Sequence, residues 1–325
     1  MTRPIVFVPE PIAASGMALL KAECECLAPW GSGDAMPPES RLREMLYAAD
    51  AVIVRLFRIT ADDLARANRL KVVAKHGAGV DNIDCQAASA QRIPVVYTPD
   101  ATTNAVAEHT LALMLALARQ VCPAQAALRE GRFGERGRFK GAELAGKTLA
   151  VIGLGRIGAR VAHVAALGLD MQVHAYDPCV SKESYAGPAS LEDSLEAVLR
   201  KADFLSLHVP LTPDTRQLIN AHTLALLKPD CRLVNTSRGA VIDEAALVAA
   251  LEKGQLAGAA LDVFAEEPLP ADHPLCRAPN ILLTPHISSS TQECLERMSL
   301  QAAQGVLDVL QGRRPTYPVN PEVLG

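Results

Sequence analysis

The chain has 325 residues, 49% of them apolar, and a formal net charge of −4 without any basic block. That length exceeds the size at which one hydrophobic core keeps growing, so two domains are expected, and the weak negative charge argues against a nucleic-acid groove or an anionic membrane surface and for a small-molecule partner. Eight scattered cysteines form no C-x-x-C and no Cys/His set at zinc spacing, which predicts free thiols, a reducing compartment and no metal.

The start Met1-Thr-Arg-Pro enters a strand without a cleavable leader pattern, and a cytoplasmic location is the expectation. Over the first hundred residues, β-rich runs alternate with helical ones. Strands are predicted at Ile5–Val8, Ala51–Val54, Lys71–Ala74 and Val95–Tyr97, and helices at Ile12–Ala22, Glu39–Ala48, Ala61–Ala67 and Cys85–Gln91. Cys26-Leu-Ala28 is a further short strand, and Pro29–Pro38 is a loop. The alternation implies a parallel sheet. Arg55 and the run Lys75-His-Gly-Ala-Gly-Val-Asp81 follow strands, at the edge where open α/β sheets bind ligands. The same residues also suit an exposed arginine and an ordinary loop.

After Pro99 comes a plausible cap and a long apolar helix, Asn104–Val121. Its apolar part carries Glu108, His109 and Arg119 and is too short for a bilayer, so no membrane partner is expected. Pro123 interrupts or kinks this helix, and Arg129–Arg138 reads as an exposed arm. Then Thr148–Ile152 empties into Gly153-Leu-Gly155-Arg156-Ile157-Gly158 and a helix over Arg156–Leu167. In this pattern Gly153 makes the turn, Gly155 lets a pyrophosphate approach bare backbone, and Gly158 lets helix pack on strand. The next strand, Met171–Tyr176, ends in Asp177, nineteen residues beyond Gly158, where an acid accepts the adenosine ribose hydroxyls. This is a dinucleotide site.

Further on, helices are predicted at Leu191–Arg200 and Arg216–Leu227, and strands at Asp203–His208, Arg232–Asn235, Ala259–Asp262 and Ile281–Thr284. The last three strands end in polar residues, so Arg238, Glu267 and His286 can converge at one carboxyl edge. The final helix, Thr291–Gln311, and the tail Pro318–Pro321 return to the first domain, with hinges near Pro99 and Ser288.

These motifs together resemble the NAD-dependent D-isomer-specific 2-hydroxyacid dehydrogenases, nearest the phosphoglycerate dehydrogenase and hydroxypyruvate or glyoxylate reductase branches. They are Gly153–Gly158 with Asp177, His208-Val-Pro-Leu-Thr212, Asn235-Thr-Ser-Arg238-Gly, Asp262-Val-Phe with Glu267-Pro, and Pro285-His286-Ile, in family order along nearly the whole chain. The resemblance implies two doubly wound parallel-sheet α/β domains. A Rossmann NAD-binding domain, 100–287, is inserted into a flavodoxin-like substrate-binding domain, 1–99 and 288–325. It implies that Arg238 binds the substrate carboxylate and carbonyl oxygen, that His286 is the acid/base, and that Glu267 holds and polarises His286. Backbone N–H groups of Ala78, Gly79 and Val80 would hold the carboxylate, with Arg55 flanking it; from its place after a strand, Lys75 could face the same cleft and bind substrate. Arg156, Ile157, His208, Pro210, Thr212, Thr215, Thr236 and Asp262 fall at family positions around the cofactor, and a homodimer is implied.

Asp177 favours NAD over NADP, because its charge repels a 2′-phosphate and Pro178-Cys-Val180 supplies no arginine. Departures from the family pattern are Ser288-Ser289 for Gly-Gly, Phe133 for a tryptophan on the arm, Thr102 for asparagine, and Leu56-Phe-Arg58 after Arg55. They bear on the substrate, not on the reaction. A dinucleotide-sensing corepressor and a phosphite dehydrogenase resemble the same motifs and stay open.

Overall fold

A computed structural model describes residues 3–31 and 35–325; residues 1, 2 and 32–34, the last three within the expected Pro29–Pro38 loop, lie outside the described residues. The chain divides into two compact units, Met1–Thr102 with Ser290–Gly325, and Thr103–Ser289.

In the first unit β1 (Ile5–Phe7), β2 (Glu25–Leu27), β3 (Ala51–Val54), β4 (Val72–Lys75) and β5 (Val95–Val96) form a wholly parallel sheet ordered β2-β1-β3-β4-β5. The crossovers carry α1 (Ala14–Glu23), α2 (Glu39–Ala48), α3 (Ala61–Arg66) and α4 (Cys85–Ala90). The run Ala51-Val-Ile-Val54 is buried throughout because both faces of the sheet are covered. Ile53, with Val6 and Val72, packs toward Ala302, Ala303 and Val306 of the C-terminal helix Gln292–Leu310, while Val52 and Val54 join Phe7, Leu46, Leu64 and Val73 on the other face. A capping box starts α3, with the Thr60 N–H donating to Asp63 Oδ2 and the Asp63 N–H to Thr60 Oγ1. The strand order reverses between β1 and β3.

The second unit opens with α5 (Thr103–Ala118) and α6 (Val121–Arg129). Its strands are β6 (Thr148–Ile152), β7 (Gln172–Tyr176), β8 (Ser190–Leu191), β9 (Phe204–Leu207), β10 (Arg232–Asn235), β11 (Gly258–Leu261) and β12 (Ile281–Leu283). They pair in parallel as β8-β7-β6-β9-β10-β11-β12, with the reversal between β6 and β9. The remaining helices are α7 (Arg156–Gly168), α8 (Leu195–Leu199), α9 (Ala221–Leu224) and α10 (Glu244–Glu252).

Three expectations about helices change. The long apolar helix breaks at Gln120, which is left-handed at φ 53°, so α5 and α6 meet at 62° and Pro123 falls harmlessly in the first turn of α6. Leu191 leaves the predicted helix and with Ser190 pairs with His174-Ala175 of β7, and Ser194 then caps α8. Helix α9 shrinks because the Ile219 N–H bonds to the Val241 carbonyl and Asn220 caps the residues after it. Among the described residues no single helix is long and apolar enough to cross a membrane.

Candidate active site

The glycine pattern forms the turn between β6 and α7. Gly153 has φ +91°, and a Cβ there would stand 2.6 Å from the His208 carbonyl oxygen; a Cβ at Gly158 would stand 1.9 Å from that of Gly153. Both glycines are required for the turn to pack on itself. Gly155 differs, since a Cβ there would meet nothing within 4 Å. Its bareness serves no internal packing and leaves space over the N-terminus of α7, the arrangement a pyrophosphate requires.

Asp177 follows β7 and accepts from the Leu154 N–H through Oδ2 (2.7 Å) and the Cys179 N–H through Oδ1 (2.8 Å). Its half-buried carboxylate is thus oriented by the same turn and keeps lone pairs for ribose hydroxyls. These residues fit a dinucleotide. Arg156 is exposed and Ile157 half-buried at the start of α7. His208 Nε2 lies 2.8 Å from Ser206 Oγ, and burial pushes its pKa down to about 4, so the ring is neutral at pH 7. Thr215 Oγ1 donates to the Pro210 carbonyl (2.6 Å) and accepts from the Thr212 N–H (2.8 Å), closing that exposed turn. Thr236 is buried and shares a 2.8 Å hydrogen bond with Thr110 of α5.

Adjacent strands β10, β11 and β12 each deliver one residue of the predicted trio. After β10, Asn235 Oδ1 accepts from the Ser237 N–H and hydroxyl while Nδ2 donates to the Arg238 carbonyl, a turn that presents Arg238 half-buried. After β12, His286 Nδ1 lies 2.7 Å from Glu267 Oε2, and Glu267 Oε1 accepts from the Phe264 N–H at 3.0 Å. Burial pushes the Glu267 carboxyl up, but the hydrogen bonds from His286 and Phe264 and the charges of His286 and Arg238 hold it below its ordinary range. An ionised carboxylate only accepts, so Nδ1 carries the hydrogen and Nε2 is the ring atom left for proton exchange.

The fully buried Asp262 organises this corner. Its Oδ1 accepts from Thr284 Oγ1 (2.6 Å) and the Ile287 N–H (2.9 Å), its Oδ2 from the Ser288 N–H (2.8 Å), and its carbonyl from the His286 N–H (2.9 Å). His109 Nε2 on α5 lies 3.2 Å from Thr284 Oγ1 and 3.5 Å from Asp262 Oδ1. Burial raises the Asp262 carboxyl, yet His109, Thr284 and the two N–H groups outweigh it and bring the pKa to about 2. The clamp holds His286 at φ 53°, a left-handed conformation that costs a non-glycine residue free energy and persists only where its surroundings over-determine it. Sequence reading set Asp262 among cofactor residues; its hold on the His286 turn has no signature in spacing, and His109 gave none either.

In the first unit, Lys75 is buried, and its Nζ donates to the Arg55 carbonyl and to Asn82 Oδ1 (2.7 Å for the latter). It sits beneath the turn after β3. Arg55 is half-buried, with Nη1 donating to the Pro11 carbonyl at 3.1 Å. Gly77 is pinned to Thr98 by its N–H and its carbonyl, 2.9 and 3.0 Å. Beyond it, the N–H groups of Ala78, Gly79 and Val80 have no acceptor among the described residues, and all three residues are half-buried.

Residues 111–288 match the model of the D-isomer specific 2-hydroxyacid dehydrogenase, NAD binding domain. A D-3-phosphoglycerate dehydrogenase of Synechocystis is 42% identical over 283 residues, covering 87% of this chain and 50% of that protein. The chain spans about half the length of the phosphoglycerate dehydrogenases it matches. A glyoxylate reductase of Thermofilum pendens is 39% identical over 329 residues, covering 100% of this chain and 96% of that one. The structure of a D-lactate dehydrogenase from Aquifex aeolicus, complexed with NAD and lactic acid, is similar at a TM-score of 0.84 with 27% identity, covering 97% and 99% of the two chains. A family match over more than half the chain, together with a relative aligned end to end, places this protein in the D-isomer specific 2-hydroxyacid dehydrogenase family, with NAD as its cofactor.

Proposed function

We propose that the protein interconverts a D-2-hydroxy acid and its 2-oxo acid, of the 3-phosphoglycerate/phosphohydroxypyruvate or hydroxypyruvate/glyoxylate type. The observation that carries this reading is the 2.7 Å contact between His286 Nδ1 and Glu267, at strand ends neighbouring Arg238 in the sheet that bears the dinucleotide turn. Gly153, Gly155, Arg156, Ile157 and Gly158 hold the pyrophosphate and Asp177 the adenosine ribose; bound NADH supplies the hydride for the 2-oxo carbon. Arg238 binds the substrate carboxylate and polarises the carbonyl oxygen. His286 Nε2 gives its proton to the oxygen that becomes the alcohol, and takes it back in the oxidative direction. Glu267 keeps the ring oriented, with the Nδ1 hydrogen held on its carboxylate. Ala78, Gly79 and Val80 offer N–H groups to the carboxylate, and Arg55 flanks it.

The test is NADH consumption by purified protein over a panel of 2-oxo acids. Turnover of at least one is expected, and a protein that binds NADH yet reduces none of them refutes the reading. With NADPH the Asp177 carboxylate would face a 2′-phosphate, a repulsion on the order of 1 kcal/mol in water at 4 Å and more in a desolvated site. Equal kcat/KM for the two cofactors would contradict that assignment.

A homodimer built on α5, α6 and the following arm is part of the proposal, supported by the exposed apolar side chains of Leu115, Val121, Leu128 and Phe133. A light-scattering mass near 34.5 kDa at micromolar concentration would refute it. The eight free thiols suit a reducing, cytoplasmic compartment.

A further inference from the structure

Between β1 and β3 the strand order of the five-stranded sheet reverses, and chains leaving the strands at such a point ordinarily frame a ligand crevice. Here one of the protein's own side chains enters it. Glu10, three residues beyond β1, reaches the turn after β3. Its Oε2 accepts from the N–H groups of Arg55 (2.6 Å), Leu56 (2.9 Å) and Phe57 (3.1 Å), and its Oε1 from that of Leu56 (2.8 Å). Three consecutive N–H groups around one carboxylate make an anion nest.

The carbonyl side of the turn is held as firmly. Lys75 Nζ donates to the Arg55 carbonyl, and Asn82 Nδ2 donates to that of Phe57 at 2.8 Å. The Phe57 ring stands edge-on to Phe7 at 6.0 Å between centroids, with the Arg43 guanidinium 5.7 Å from it. Backbone and one side chain are therefore anchored, while Leu56 is 77% exposed and Arg55 half-buried on the surface of the turn.

We propose that Glu10 is a positioning residue: its carboxylate fills the nest at the reversal point, excludes a substrate anion from it, and fixes the turn so that Arg55 meets the substrate. This rests on the reading of Arg55 as a substrate-binding residue. Glutamine at position 10 would remove the charge from the nest and, with its amide oxygen at the Oε2 place, set its amide nitrogen against the Leu56 N–H, donor against donor.

The experiment compares Glu10→Gln, Arg55→Ala and the double variant on whichever 2-oxo acid the wild type reduces best, with NADH affinity measured by fluorescence. Glu10→Gln is expected to raise KM for the 2-oxo acid about tenfold or more, with kcat and NADH affinity within about twofold, the pattern of lost uniform binding. In the Arg55→Ala background the same change should add less than about twofold, because coupled residues are non-additive. An unchanged KM, or a rise of equal size with and without Arg55, overturns the proposal. Asn82→Ala, which releases the Phe57 carbonyl, carries the same expectation should Glu10→Gln fail to fold. Wild type that reduces no 2-oxo acid overturns the functional reading and this one with it; wild-type turnover with an indifferent Glu10 overturns this one alone.

Discussion

At the reversal between β6 and β9, the seven-stranded sheet leaves Gly155 with nothing within 4 Å of where its Cβ would stand. At the matching reversal between β1 and β3, the five-stranded sheet wraps three N–H groups around the Glu10 carboxylate. Topology alone marks both places as ligand crevices. Side chains decide otherwise in one of them. An open crevice needs its surrounding turn satisfied by something other than the ligand, which the close approaches of Gly153 and Gly158 provide. A filled one becomes a pedestal, and the half-buried N–H groups of Ala78–Val80, after the neighbouring β4, are the ones at that edge without an acceptor among the described residues.

The largest expected effect tests the open side. His286→Ala removes the proposed proton donor and should lower kcat by at least about 10²-fold, the low end for general acid catalysis, with NADH affinity unchanged. A retained kcat, with chemistry shown to limit the rate, would mean that another group moves the proton.

Acid should strike a buried histidine on each side. His76 is 5% exposed, its Nε2 lies 3.0 Å from Ser299 Oγ, and burial first, then the Arg55 charge, pushes its pKa from 6.5 down to about 4. The folded pKa is the lower one, so the unfolded chain binds the extra proton between these values. The stability is whole above pH 6.5 and falls as pH drops toward 4, by about 3 kcal/mol at 1.36 kcal/mol per unit. His208, also lowered to about 4, adds in the same direction. Urea titrations at pH 7 and 4.5 should show the loss, and His76→Gln should make it shallower; an identical slope in the variant would assign the loss to other groups.

A smaller effect separates space kept for a ligand from space kept for the fold. Gly155→Val places its side chain where nothing stands within 4 Å, so it should raise Kd for NADH about tenfold or more with little change in Tm. Gly158→Ala pushes a Cβ to 1.9 Å from a backbone oxygen and should lower Tm instead. A reversal of these two outcomes would break the distinction.

Local patterning was enough to read the βα alternation, the Gly153–Gly158 turn, Asp177, and Arg238, Glu267 and His286 at successive strand ends. Each rests on short-range rules: apolar runs bounded by turns, glycines at fixed offsets, polar residues where a strand stops. The tertiary structure alone decided that the long apolar helix breaks at Gln120 rather than at Pro123, that Ser190-Leu191 pair as a strand, that the Asp262 carboxylate clamps the His286 turn, and that Glu10 occupies the nest forty-five residues away in sequence. The physical reason is common to all four. They are set by hydrogen bonds, or by backbone geometry, between segments that only packing brings together, and a side chain that bonds distant backbone has no period for a sequence to display.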